Sequence, residues 1–262
     1  MRDADEVARS AAVIFSMVRD DAALAAVASS EDGILSGLAP GKVWVDMSTV
    51  SPGAARMLAE RVGRLGAAML SAPVSGSVPA AEEGSLEIMA GGDQRVLDRV
   101  EPLLRELGRH VIWIGTNDQA LLMKIAINVS LAEQMLAFSE GVLLAERGGI
   151  DRQVAVDVLA ASAIGSPMLK ARAPLVVHLP RYAWFDVALM QKDLRLALDA
   201  ADTLDVRVPG AEVANEVLKV AQELGYAERD LAALFEVLTK IAGRTKLQSL
   251  AADVSNGPRG EA

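Results

Sequence analysis

A lysine and an asparagine interrupt an otherwise apolar helical stretch in the middle of the chain. Lys124 and Asn128 lie in LLMKIAINVSLA, where Ser130 is the other polar residue. A spacing of four places both on one helix face, and a helix this apolar is expected to be buried nearly all round. Two interpretations stay open. The ammonium group reaches the surface along its apolar stem, or a desolvated Lys124 holds and protonates an oxygen of a bound molecule while Asn128 fixes the geometry.

A second charged pair, Lys192 and Asp193, stands near the start of another apolar helical segment, WFDVALMQKDLRLALDAADTL. On these residues alone, a solvated helix end is the simpler interpretation. His110 follows a helix end and His178 lies in a proline-bounded loop, so both are interpreted as structural. With two histidines and no cysteine, no metal site is predicted.

Small residues and prolines separate two strand-like runs in LSAPVSGSVPAAEEGSLEIMAGGD, residues 70–93. The centre of this segment is Ser75, Gly76 and Ser77, with Pro73 and Pro79 on either side. A plain turn is one explanation. The other is a loop that approaches a ligand closely, because small side chains permit the approach and backbone N–H groups in such a turn attract anions.

Composition excludes several classes of partner. The net charge of −9 and the pI of about 4.9 disfavour nucleic acid. No membrane partner is expected, because Lys124, Asn128 and Glu133 interrupt the most apolar helical segment before it reaches the ~20 apolar residues of a spanning helix. The absence of cysteine, with a charged N-terminus unlike a secretory or transit peptide, predicts a cytoplasmic protein.

The sequence pattern predicts two kinds of architecture that position the candidate site residues, an α/β part followed by a helical part. Strand-like runs alternate with helices up to residue 118, and one of those helices is expected to begin with Ser51 as N-cap and Pro52 as its first residue. This alternation predicts a parallel, doubly wound sheet. Beyond Asp118 the strand signal vanishes, and a long helix is predicted over about 119–147. The sequence thus predicts an α/β domain over 1–118 and an all-α domain over 119–262.

Four motifs in order resemble those of the β-hydroxyacid dehydrogenase family, the 3-hydroxyisobutyrate dehydrogenase-like and 6-phosphogluconate dehydrogenase-like oxidoreductases. The substrate loop of that family, D-x-P-V-S-G-G-x-x-x-A-x-x-G-T-L, is matched by SAPVSGSVPAAEEGSL, with Ser71 for the aspartate and Ser77 for a glycine. A strand ending in D-x-S-T is matched by VDMSTVSP, the catalytic helix by Lys124 and Asn128, and the KDL helix by MQKDLRLAL. Each motif alone is weak, but their common order over nearly the whole chain is specific.

The resemblance implies hydride transfer between NAD or NADP and a small β-hydroxy acid or its semialdehyde or oxo acid. It implies Lys124 as general acid/base, with Ser75 and Asn128 also catalytic. The implied contacts to a small carboxylate substrate are Ser75, Gly76, Ser77, Asn128 and Lys192. The implied cofactor contacts are Met17, Val18, Ser48, Thr49, Lys192 and Asp193. A homodimer or homotetramer, packed through the long helix of a dimerisation and substrate domain, is implied as well.

One part of the family pattern is absent from the sequence. The family opens with a strand and a G-x-G-x-x-G loop that cradles the pyrophosphate, and no such pattern occurs here. Residues 11–21, AAVIFSMVRDD, lie shortly after the start of the sequence and resemble the family's fourth strand and cofactor loop, with Arg19 in place of a proline. The resemblance thus implies a partial, N-terminally truncated Rossmann-like sheet lacking on the order of fifty residues. A start assigned too late is favoured over a truncated inactive product or a part supplied by another chain.

Two other functions stand beside the enzyme. A truncated, non-catalytic homologue would keep the helical domain as a dimerisation or binding module. A related imine reductase is disfavoured by Lys124, because those relatives generally lack the lysine. The choice between NAD and NADP stays open, since the residue that reads the ribose 2′ position follows the second strand of the fold, in the missing part.

Overall fold

The computed structural model describes residues 3–242, so the end of the predicted all-α domain, residues 243–262, lies outside the described residues. The described residues form two compact units. The first unit comprises residues 3–127 with 202–204, and the second comprises residues 128–201 with 205–242.

The first unit is an α/β fold around one sheet. Its strands are β1 (Val13–Ser16), β2 (Val43–Asp46), β3 (Ala68–Ser71), β4 (Val74–Ser75), β5 (Leu86–Gly91) and β6 (Gly108–Gly115). Its helices are α1 (Ala4–Ser10), α2 (Asp21–Ser29), α3 (Ile34–Gly37), α4 (Pro52–Arg64), α5 (Ser77–Glu82) and α6 (Gln94–Arg105). The strand order is β1-β2-β3-β5-β4, and β6 also pairs with β5.

Strand β2 shows why this sheet needs helices on both faces. Val43, Trp44 and Val45 are all completely buried, and successive side chains point to opposite faces. Trp44 packs with apolar residues of α2 and α4, including Leu24 and Leu58, whereas the two valines pack in a separate cluster that includes residues of α6. A continuous apolar run is typical of a strand covered on both sides.

The sheet is mixed. Strands β1, β2 and β3 are parallel, as the alternation of strands and helices predicts. Strand β5 runs antiparallel to β3 and β4, and β6 runs parallel to β5. The reversal has a local cause: α5 has six residues, and a parallel crossover needs a dozen residues or more, with a helix that spans the sheet.

Two helix starts lie beside the carboxyl ends of β1 and β2. Asp20 caps α2, because its carboxylate accepts a hydrogen bond from the Ala23 amide at 2.9 Å. Ser51 caps α4 by accepting from the Ala54 amide at 3.2 Å, and Pro52 is the first helical residue. The predicted Ser51 N-cap is therefore confirmed.

The second unit is built from helices, as expected for the all-α part of the chain. Its elements are the later part of α7 (Asn117–Arg147), α8 (Arg152–Ala161), α9 (Pro167–Val177), α10 (Val187–Thr203), α11 (Pro209–Glu223), a 3-10 turn (Leu231–Ala233) and α12 (Leu234–Ile241). Their apolar faces form one core, in which Phe138, Met190 and Phe235 are almost completely buried.

The two histidines take structural positions, one in each unit. His110 on β6 contacts Glu87 on the neighbouring strand at 2.9 Å. The backbone amide of His178 donates to the Pro174 carbonyl and so ends α9.

Helix α7 departs from two expectations. It is not buried all round, because Met123 is 41% exposed and Leu144 is 77% exposed. By length and composition it is also one helix among the described residues that could cross a membrane, with 39% of its most apolar window buried. A core helix meets the same criterion, and α7 contributes Leu121 to the core of the first unit and Phe138 to that of the second.

Candidate active site

The centre of the predicted substrate loop is a tight turn between β4 and α5. Gly76 has a φ of 135°, and a Cβ atom there would lie 2.5 Å from the Cβ of Ala80. No side chain fits that space, so glycine is required. Ser75 ends β4, where it pairs with Glu87 of β5. The loop is thus a fixed turn anchored on the sheet.

Ser77 carries the most unusual backbone of this loop. Its φ of 64° lies in the left-handed region, which costs a non-glycine residue about 1–2 kcal/mol. The family motif has glycine at this position, and the backbone explains the preference. A serine is retained here at an energetic cost, and such outliers cluster at ligand-binding positions.

Asn117, which the sequence interpretation missed, supports the base of the substrate loop. Its Oδ1 accepts a hydrogen bond from the Ser71 amide at 2.6 Å, and its Nδ2 donates to the Met69 carbonyl at 3.4 Å. Asn117 is also the first residue of α7, the helix that carries Lys124. A polar residue directly before a predicted apolar helix was the available signal. Asn117 ties the end of β3 to the start of that helix.

Three predicted site residues meet in the core of the second unit. The Asn128 Nδ2 donates to Asp193 Oδ2 at 2.5 Å, and both residues are almost completely buried. The Lys192 ammonium group lies 2.9 Å from Asp193 Oδ1. A buried carboxylate is tolerated when it is paired and hydrogen-bonded. The interpretation of Lys192 and Asp193 as a solvated helix end is therefore wrong, because Asp193 points into the core from the second turn of α10.

Lys124 is half-buried on α7. It lies four residues, about one helical turn, before Asn128. The adjacent Ile125 is buried and Met123 is exposed, so Lys124 lies at the border between the two faces. The Lys124 side chain is therefore neither fully enclosed nor fully solvated.

The predicted cofactor residues of β1 and β2 are joined by hydrogen bonds. The Val18 amide donates to Ser48 Oγ at 2.8 Å, and Ser48 Oγ donates to Asp46 Oδ1 at 2.8 Å. Ser48 is buried and Thr49 is half-buried, whereas Met17 is 68% exposed. The structure thus brings Val18 and Ser48 together at the carboxyl ends of two neighbouring parallel strands, where ligands bind in open α/β sheets.

Asp46 is the second functional candidate that the sequence interpretation missed. It is 1% exposed, and burial raises the pKa of its carboxyl, while hydrogen bonds from Ser16 and Ser48 oppose that rise. The available signal was its place as the aspartate of the D-x-S-T match, VDMSTVSP, at the end of the apolar run VWVD. Elsewhere in the described part of the chain, no group of three acidic or histidine side chains is arranged to hold a metal ion.

Comparison with known proteins covers both units. Residues 1–115 match the family described as the NAD binding domain of 6-phosphogluconate dehydrogenase, and residues 119–238 match the family described as NAD-binding of NADP-dependent 3-hydroxyisobutyrate dehydrogenase. The chain is 33% identical over 239 residues to 2-hydroxy-3-oxopropionate reductase of Escherichia coli, which covers 91% of this chain and 82% of the relative. The chain belongs to the β-hydroxyacid dehydrogenase family.

Further relatives agree with this membership. Glyoxylate/succinic semialdehyde reductase 2, chloroplastic, of Arabidopsis thaliana is 32% identical over 240 residues, covering 92% of this chain and 67% of the relative. The crystal structure of 3-hydroxyisobutyrate dehydrogenase from Salmonella typhimurium matches with a TM-score of 0.83 and 29% identity, covering 90% of this chain and 82% of that one. The predicted family and fold class are confirmed, and the chain is an NAD(P)-dependent dehydrogenase or reductase.

The described residues fit one end of the NAD(P) cofactor of this family. At the carboxyl ends of β1 and β2 lie the exposed apolar side chain of Met17, the hydroxyl of half-buried Thr49 and backbone polar groups. An apolar side chain suits the face of a nicotinamide ring, and the polar groups suit its carboxamide. The glycine pattern that cradles a diphosphate occurs nowhere in the sequence. The fit therefore concerns the nicotinamide end.

Proposed function

We propose that this β-hydroxyacid dehydrogenase family member interconverts a small β-hydroxy acid and its semialdehyde or oxo acid, with Lys124 as general acid/base. The observation that carries the proposal is the buried contact of Asn128 and Lys192 with Asp193. Two helices far apart in the sequence bring three motif residues together there. Asp193 fixes the Asn128 amide group and the Lys192 ammonium group, so both can present hydrogen-bond donors to a substrate.

The role of Lys124 follows from the proton balance of the reaction. The bound nicotinamide cofactor supplies or accepts the hydride. The carbonyl oxygen of the substrate gains a proton in reduction, and the hydroxyl loses one in oxidation. Lys124 donates that proton as an ammonium group and takes it back as an amine.

The substrate carboxylate is assigned to Ser75, Gly76 and Ser77. The required glycine and the left-handed Ser77 keep the loop backbone free of bulky side chains. Hydroxyl and backbone N–H donors then reach an anion without steric hindrance. Asn128 and Lys192 complete the proposed substrate contacts, and Met17, Val18, Ser48, Thr49, Lys192 and Asp193 the proposed cofactor contacts.

The first experiment is calorimetric titration of NADH and of NADPH into the purified chain. Binding of either nucleotide supports the enzyme and selects the cofactor. A screen of small hydroxy acids and their oxo forms, followed by absorbance of the reduced nicotinamide, then identifies the substrate. A folded protein that binds neither nucleotide contradicts the proposal and favours the second candidate.

That second candidate is a non-catalytic dimerisation or binding module. It is favoured by exposed apolar side chains in the second unit, which gather between residues 144 and 164: Leu144, Ile150, Val154, Val158 and Ile164. Exposed apolar surface of this kind marks association sites. The enzyme, too, is proposed to be a homodimer or homotetramer. The resemblance implies packing through the long helix, α7, which contributes Leu144 to this surface, and the proposal extends that contact to Val154 and Val158 of α8. A cytoplasmic location is proposed from the absence of cysteine.

A further inference from the structure

Two loops at the carboxyl ends of β1 and β2 are joined at two points. Residues 17–20 link β1 to α2, and residues 47–51 link β2 to α4. Near the strands, the Val18 amide donates to Ser48 Oγ at 2.8 Å. Near the helices, the Ser51 amide donates to Asp21 Oδ1 at 2.8 Å. Each loop therefore holds the other in place.

The first of these links depends on the direction of a hydroxyl group. A serine hydroxyl has one proton to donate and lone pairs to accept. Ser48 gives its proton to Asp46 Oδ1, which leaves the lone pairs free for the Val18 amide. Ser16 is oriented in the same way: it donates to Asp46 Oδ1 at 2.6 Å and accepts from Trp44 Nε1 at 2.8 Å.

The position of Asp46 is costly for the fold alone. The residue is 1% exposed, and within residues 3–242 it forms hydrogen bonds with hydroxyl and backbone groups but no ion pair. Without a counterion the ionised carboxyl is costly to bury, and the hydrogen bonds from Ser16 and Ser48 offset only part of that cost, because the pKa stays raised. What the acidic side chain supplies is one oxygen that orients both hydroxyl groups.

We propose that Asp46 is the positioning residue of the cofactor-facing loops: through the Ser48 hydroxyl it orients the Val18 amide and so holds Met17 and Thr49 in a binding arrangement. The inference rests on the proposed function, which assigns these loops to the cofactor. Asp46 itself touches neither cofactor nor substrate in this role.

Three variants test this relay, by which we mean the path from the Asp46 carboxyl through the Ser48 hydroxyl to the Val18 amide. Asp46→Ala removes the acceptor. Asp46→Asn keeps a carbonyl oxygen where both hydroxyls donate. Ser16→Ala is the matched control, because it removes one hydrogen bond to Asp46 and leaves the path from Asp46 through Ser48 to Val18 intact. The readouts are hydrogen exchange of the Val18 amide in the nucleotide-free protein, and the Kd values for NADH and NADPH.

The expected result separates the variants. Asp46→Ala accelerates Val18 exchange and raises the nucleotide Kd, each about tenfold, the effect of one hydrogen bond. Asp46→Asn restores most of both properties, and Ser16→Ala changes both less than about twofold while lowering thermal stability. If Asp46→Ala does not fold, Ser48→Ala must give the same acceleration of Val18 exchange, since it removes the acceptor of the Val18 amide. Its nucleotide Kd does not enter this test, because Ser48 is itself a proposed cofactor contact.

Contrary results are distinguishable. Unchanged Val18 exchange in Asp46→Ala or Ser48→Ala overturns the relay. Rapid exchange with an unchanged nucleotide Kd overturns the positioning role alone, while the proposed function stands. A wild-type protein that binds neither NADH nor NADPH overturns the proposed function, and the cofactor role of Asp46 with it.

Discussion

The Asn128 side-chain amide donates to the Asp193 carboxylate at 2.5 Å, across 65 residues of sequence and in the core of the second unit. The carboxylate also lies beside the Lys192 ammonium group. A buried aspartate with these two partners places an amide and a cation at fixed positions on two helices. The contact joins residues of two motifs, the helix that carries Lys124 and Asn128 and the KDL helix, each of which is a weak signal alone.

Asp193→Ala is expected to damage both stability and turnover. The change removes a partly buried ion pair and leaves the buried Asn128 amide without its acceptor, which costs about 2–3 kcal/mol of unfolding free energy. Misplaced substrate groups are expected to lower kcat/KM about 100-fold. Urea unfolding and steady-state kinetics measure the two effects. Asp202→Asn, which alters an exposed carboxylate near the end of the same helix, is the control and should change neither. Wild-type kinetics in Asp193→Ala would contradict the assignment.

Lys124→Met is expected to lower kcat about 10²- to 10⁴-fold, the contribution of a positioned acid/base. Methionine keeps the apolar stem, so packing and the unfolding transition should change little. Lys219→Met, at an exposed position of α11, is the matched control. Turnover is followed through the nicotinamide absorbance, and cofactor affinity through calorimetry. Should the variant retain the wild-type kcat, Lys124 is a surface-reaching lysine rather than the acid/base.

Gly76→Ala is expected to destabilise the protein by about 2–4 kcal/mol, because the new Cβ combines left-handed strain with overpacking. The Cβ would lie 2.5 Å from that of Ala80. Gly53→Ala offers a clean comparison, since no atom lies within 4 Å of a Cβ at that position of α4. It should be neutral or up to about 1 kcal/mol stabilising. Equal thermal midpoints for the two variants would refute the requirement for glycine in the loop.

Local signals in the sequence were sufficient where the chemistry is local. Ser51 followed by Pro52 determines a helix start without help from distant residues, and the glycine of the substrate loop follows from its neighbours. The burial of Asp193 could not be predicted from its neighbours in the sequence. The pair Lys192 and Asp193 has the same local pattern whether the carboxylate contacts Asn128 of a distant helix or contacts water. The antiparallel direction of β5 was not predicted for a similar reason. The direction of a strand depends on the path of the chain before it, here the residues that follow Ser71.

Val158→Glu is expected to shift the proposed dimer or tetramer towards the monomer. Val158 is 63% exposed on α8, so a charge there is tolerated in the isolated chain but costly inside an apolar interface. Light scattering coupled to size exclusion measures the mass, and circular dichroism verifies the fold. Met57→Glu, at a 60% exposed position of α4, controls for added charge and should keep the wild-type mass. An unchanged mass for Val158→Glu would place the interface elsewhere.

Asp46 should make stability depend on pH in the direction opposite to an ordinary ion-paired carboxylate. Burial raises the pKa of the carboxyl in the folded state above its unfolded value, so the folded state binds the proton more tightly. The unfolding free energy therefore falls as pH rises from the unfolded pKa, near 3.8, through the raised folded pKa. Asp46→Asn cannot titrate and should lack this slope.

The difference in unfolding free energy, Asp46→Asn minus wild type, is therefore expected to increase with pH across that window and then level off. Urea titrations of both proteins at a series of pH values measure it. Glu146, whose pKa is lowered chiefly by its hydrogen bond with Arg152, contributes with the opposite sign in both proteins and cancels in the difference. A difference that decreases with pH would mean that Ser16 and Ser48 stabilise the ionised carboxylate more strongly than burial destabilises it.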